Sequence, residues 1–109
     1  MKKTSVADFM DSVNSAMKNH NALISCTINN ARTHFSVFIH SIDPEIIHHH
    51  ENEGLISVTD SKHMWDLMVP DNFPLYLDDD AGGYGDHNIE YTFKNGILLI
   101  SFLFQCYNL

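Results

Sequence analysis

Positively charged side chains are scarce. Six Lys and Arg stand against fourteen Asp and Glu, Arg32 is the only arginine, and the formal net charge is -8 with histidine neutral. A chain with this balance repels phosphate backbones and anionic membranes and attracts basic surfaces, which excludes direct nucleic-acid binding as a main role. Lys2-Lys3 is the only basic cluster. Cysteine is equally sparse. Cys26 and Cys106 lie far apart, with no CxxC pair, which excludes a disulfide framework and points to buried free thiols in a reducing compartment. Long apolar runs are missing too. The greasiest stretch, Ile97 to Phe104, is far short of the roughly 20 residues that span a bilayer as a helix. Asp8 and Asp11 interrupt the segment after Lys2-Lys3 where a signal peptide would be apolar, so a cytoplasmic protein is expected.

What the chain does have is enough apolar material for one core. Its 109 residues are 44% hydrophobic and 11% aromatic, with no internal repeat and no linker, which implies a single domain over 1–109. Val6, Phe9, Met10, Val13 and Met17 recur at three- and four-residue intervals and predict a helix over Ser5–His20, with Ser5 and Asp8 forming an approximate capping box. Two alternating stretches, Ile24/Cys26/Ile28 and Phe35/Val37/Ile39, predict a hairpin turning at Asn29-Asn30. Asp43, Pro44 and Glu45 have the order of a helix start, and Gly54 that of a stop, so "DPEIIHHHENEG" reads as a second, short helix. "LISVT" reads as a short strand, "SKHMWDLM" after Asp60 as a third helix, and Pro70 to His87 as a long loop. A second hairpin around Asn95-Gly96 closes the chain. Its last strand is apolar on both sides, which predicts a central position with both sheet faces covered. The expected fold is α+β: an antiparallel sheet of four or five strands, built from two hairpins, packed against the N-terminal helix, with one or two short helices in the middle.

Three clusters bear on function. The first is "YLDDDAGGYGDHNIEY", from Tyr76 to Tyr91. Read as a calcium loop starting at Asp78, it fails at position five, where Gly82 has no side-chain oxygen, and at twelve, where Ile89 replaces the bidentate glutamate. As a phosphate cradle, "GGYG" lacks a lysine and follows three carboxylates. What remains is a flexible acidic loop interleaved with tyrosines, suited to a basic protein surface. The expected partner-binding residues are Tyr76, Asp78, Asp79, Asp80, Tyr84, Asp86 and Glu90, with Tyr91 and Trp65 as further aromatics.

The second cluster, His48, His49 and His50, is a weak metal candidate. Neighbours on a helix point about 100° apart, and no HExxH spacing is present. The third is His34 and His40 near Ser25 and Thr27, an arrangement able to do acid-base work; a ribonuclease would also want cations to hold phosphate, and Arg32 alone is thin support.

These observations favour a non-enzymatic binding module without cofactor: a small acidic inhibitor that blocks a basic nucleic-acid-acting protein. Bacterial immunity proteins that neutralise nuclease toxins share this size and charge, as do phage-encoded inhibitors of defence nucleases of the anti-CRISPR type. A small His/Asp metal-binding protein or hydrolase is the reading from another class. For an inhibitor, binding should weaken in mild acid as eight histidines gain charge.

Overall fold

The computed structural model describes residues 1–108. Apart from one helix the chain is mostly sheet, arranged as two antiparallel sheets rather than one. Strand β1 (Lys2–Lys3) leads into helix α1 (Val6–Asn19), followed by β2 (Ala22–Asn30) and β3 (Phe35–Ile42). Then come β4 (Ile47–His50), β5 (Leu55–Asp60), β6 (Trp65–Pro70), β7 (Leu75–Asp78), β8 (His87–Asn95) and β9 (Leu98–Cys106). The large sheet runs β1-β7-β8-β9-β2-β3 and the small one β4-β5-β6. The expected sheet of four or five strands is therefore corrected to six strands, with a separate three-stranded sheet beside it.

Helix α1 forms as its spacing dictates. The Ser5 hydroxyl accepts from the Asp8 amide at 3.2 Å, and His20, in the left-handed region at φ 51°, closes the other end by donating to the Ala16 carbonyl. Phe9 and Val13 are fully buried. The Phe9 ring meets Tyr91, Phe93, Phe102 and Phe104 edge-on at centroid distances of 5.1–6.0 Å. Burying such a ring contributes on the order of 2–3 kcal/mol, and the edge-to-face geometry adds to it.

The middle of the chain departs most from expectation. Asp43 does cap a turn, its carboxylate accepting from the Glu45 amide, but that turn is a single 3₁₀ turn over Pro44–Ile46. Ile47 then leaves it to pair with Val58, and "IHHH" becomes strand β4. β-Branched residues that can bury one face against a neighbouring strand override a helix-start signal. The third predicted helix is likewise a hairpin. Asp60 accepts from the His63 amide in a turn, Met64 takes φ 57°, and β6 follows with Trp65, Leu67 and Val69 inward and Asp66, Met68 and Pro70 outward. Pro70 is tolerated because β6 is an edge strand. The supposed long loop holds β7. The first hairpin turns at residues 31–34 rather than at Asn29-Asn30; the Asn30 side chain accepts from the amides of Arg32 and Thr33, and His34 adopts φ 58°. The second hairpin turns through Gly96, at φ 59°, and Ile97.

Register fixes the faces. Residues directly opposite in an antiparallel pair share a face, and a strand alternates faces at every residue. Leu75, Tyr91, Phe93, Ile100, Phe102, Phe104, Ile24 and Cys26 therefore form one face of the large sheet, and they join Phe9, Ile56, Val58 and Val69 in one core. Helix and small sheet both cover this face. β9 is central, as expected, but on the opposite face Leu99 and Leu103 take no part in that core, which corrects the expectation that its two faces are both fully covered.

Candidate functional site

The face turned away from the helix collects the acidic cluster. Asp78 lies directly opposite Glu90, and Tyr76 opposite Thr92, so Tyr76, Asp78 and Glu90 project together from β7 and β8. The row through Tyr76 continues across the sheet through Thr92, Ser101 and Thr27 to Phe38, with Thr92 and Ser101 hydroxyls 2.9 Å apart. A floor of small hydroxyl side chains keeps this part of the face flat.

The loop from Asp79 to Asp86 folds back over the same face, and hydrogen bonds to the sheet pin it there. The buried Gln105 side-chain oxygen accepts from the Tyr84 amide at 2.7 Å. Asn88 grips Gly85 twice, its Oδ1 accepting from the Gly85 amide and its Nδ2 donating to the Gly85 carbonyl. Ala81 donates to the Asn88 carbonyl. The glycines permit this approach. A Cβ at Gly83 or Gly85 would come within 2.8 Å of Asn88 Oδ1, and at Gly85 equally close to the Cys106 backbone. Tyr84 is left 94% exposed at the crest. At the loop's ends, Asp79 forms an exposed ion pair with Lys2 at 3.4 Å, Asp80 donates its amide to Asp78 Oδ1, and Asp86 accepts from the Asn108 amide.

Crowding leaves an electrostatic mark. The Glu90 carboxyl is held above its usual range, first by partial burial and second by the Asp78 charge across the ladder. Like charges directly opposite one another weaken a sheet, so this pairing is a cost to the fold.

The same geometry narrows the chemistry. The amides of Tyr84 and Gly85 are already engaged by Gln105 and Asn88 and cannot cradle a phosphate. Among the described residues no group of three His, Cys, Asp or Glu is placed to hold a metal ion. The His triplet is split by strand alternation. His48 and His50 share the outer face of the small sheet at a ring separation of 6.3 Å, and His49 points to the other side, 3.0 Å from Asp71. His50 Nε2 lies 2.8 Å from the hydroxyl of Ser57, a buried residue, and among the described residues no third acid or base is hydrogen-bonded to the pair. His34 sits in a turn and His40 beside a bulge six residues along β3, roughly 20 Å apart at strand rise, so they form no common centre. Burial pushes the Cys26 thiol up to about 12 and the Cys106 thiol upward as well, leaving neither a ready nucleophile.

Of the seven partner-binding residues read from the sequence, Tyr76, Asp78 and Glu90 share the strand surface, Tyr84 stands over it, and Asp79, Asp80 and Asp86 rim it. Tyr91 does not belong. It is buried against Phe9, exchanges a hydrogen bond with Ser12 and donates another to the Asp8 carbonyl, and burial raises its hydroxyl's pKa. Trp65 packs against the core from the small sheet. Sequence reasoning missed Asn88 and Gln105, the two side chains that shape the loop. Their alternation with Ile89 and Phe104 marks them as lying on the face away from the core. No known protein family, curated protein or solved structure matches the chain.

Proposed function

We propose that the chain is a binding module that blocks a basic, nucleic-acid-acting protein, with immunity against a nuclease toxin as its role. The observation that supports this is the gathering of Asp78, Asp79, Asp80, Asp86 and Glu90 onto one pinned surface with Tyr76 and the exposed Tyr84. A rigid loop loses little conformational freedom on docking, and a tyrosine at its crest supplies anchoring area, while carboxylates around it steer a cationic cleft into register. Such a surface offers clustered negative charge to a cationic groove and would compete there with a phosphate backbone. The like-charged Asp78–Glu90 pair fits this role, because a fold keeps a destabilising pair most readily where binding uses it.

The test uses the full chain and its D78N/D79N/D80N variant as baits in a lysate of the source cell. A strongly basic protein should be captured by the first and lost or much reduced with the second. Once purified, its cleavage of nucleic acid should stop on addition of an equimolar amount of the chain. Capture of only neutral or acidic proteins, or cleavage that continues at equimolar chain, overturns the reading.

A further inference from the structure

We infer that the chain assembles as a two-fold dimer in which the β3 edge of one copy pairs antiparallel with β3 of a second, joining the two large sheets. An edge strand offers a row of unpaired amides and carbonyls, and folded proteins guard such edges with lysine, proline, shortness or bulges. The other edges here are guarded. β1 is two residues long and both are lysine, β6 carries Asp66 and ends in Pro70, and β4 has only four residues. β3 has eight residues with no proline and no Asp, Glu, Lys or Arg. Its one irregularity, where Ser41 takes φ 52° and the register to β2 shifts, lies at the C-terminal end and leaves Phe35 to Ile39 regular. Among the described residues, no backbone bond beyond the β2 ladder is made from Phe35 to His40. Phe35 is 62% and Phe38 52% exposed, and Val37 lies outside the core.

Charge complementarity selects a second copy as the occupant. Arg32 stands just before this strand and Asp43 just after it, and among the described residues Arg32 takes part in no salt bridge. An antiparallel pair centred on Val37 sets Phe35 against Ile39 and Phe38 against Ser36, and brings the turn that carries Arg32 of each copy to the end of β3 that leads into Asp43 of the other. The two-fold axis makes this ionic contact twice, as an isologous interface requires. The acidic residues do not crowd the seam, because Asp78 on β7 is separated from β3 by three strands and Glu90 on β8 by two, and the loop between them is bonded over β8 and β9 rather than over β2 or β3. The dimer thus presents two acidic surfaces at once, and it stands or falls independently of what those surfaces bind.

Sedimentation of the full chain from low-micromolar to sub-millimolar concentration reads the association directly. The wild type should reach a dimer, and F38K and F35K, both at exposed positions, should weaken it by about tenfold or more without changing the melting temperature much. R32E and D43K should each weaken it, and the R32E/D43K double variant should restore it, because the swapped charges pair again. D43K also removes a turn cap, so F38K and R32E decide the matter should D43K fold poorly. A wild type that stays monomeric throughout overturns the proposal. So does a dimer indifferent to F38K and R32E, or a heterologous strand partner bound in preference to a second copy.

Discussion

Glu90 shows what a single residue gives up at this surface. Its carboxyl faces Asp78 across the β7–β8 ladder and is partly buried, and both causes raise its pKa in the folded state. The folded chain therefore favours the protonated form. That favour is fully present below the ordinary glutamate range and is lost as the pH rises through the raised folded value, so near neutrality the ionised pair costs stability. Glu90→Gln should accordingly stabilise the protein at neutral pH, by less than about 1 kcal/mol because solvent screens a half-exposed site. The gain should vanish in acid below the glutamate range. Urea denaturation at the two pH values checks this, and an equal gain at both would place the cause in packing instead. The acidity of this stretch was plain from the sequence, but the pairing was not: Asp78 and Glu90 lie twelve positions apart, and only the register of β7 against β8 sets them opposite. Tyr91 carried a readable signal that composition obscured. It alternates with Ile89 and Phe93, and that period of two places its ring inward with theirs.

At the scale of elements, the loop over the sheet is shaped by side chains outside it. Gln105 and Asn88 bind its backbone, and Gly83 and Gly85 let it come close enough to be bound. Gly85→Ala would force a Cβ to within 2.8 Å of the Cys106 backbone, which has no freedom to yield inside β9. It should destabilise the fold by about 1–3 kcal/mol and speed amide exchange at Tyr84 and Gly85. Gly82→Ala, with nothing within 4 Å of the added carbon, should stay within about 0.5 kcal/mol of the wild type. Equal effects of the two substitutions, read by thermal melting, would show that close packing does not hold the loop. Elements with long, unbroken periodicity were legible beforehand: the helix, both long hairpins and the burial of β9's inward face. The middle was not, because its local signals pointed elsewhere. Asp43-Pro44 and Asp60 are good helix starts and equally good turn residues, and the choice went to strands once Ile47, Val58 and Val69 could bury themselves against the large sheet's core.

For the molecule as a whole, net charge and local charge respond differently to pH. Eight histidines match the deficit of eight, and the isoelectric point lies near 5.2, so mild acid brings the total charge close to zero. Yet the histidines are not spread evenly. His87 adjoins Asp86 and His20 closes the helix at the same end of the sheet, whereas His34 lies at the opposite turn, His40 on the far edge, and His48, His49, His50 and His63 on the small sheet. The molecule measures 39 × 27 × 26 Å. At physiological salt, charges beyond about 8 Å are largely screened from one another, whereas at about 0.01 M salt the screening length of about 30 Å spans most of the protein. A basic probe approaching the acidic surface therefore sees the whole chain at low salt and mainly its near carboxylates at physiological salt. The association rate with an arginine-rich peptide, whose own charge is constant over this range, should fall steeply from about pH 7.5 to about 5.5 at low ionic strength and only slightly at physiological ionic strength. Stopped-flow measurement at both salts gives the comparison. An equal fall at both would mean that groups adjoining the contact, rather than the summed charge of the chain, govern the pH response.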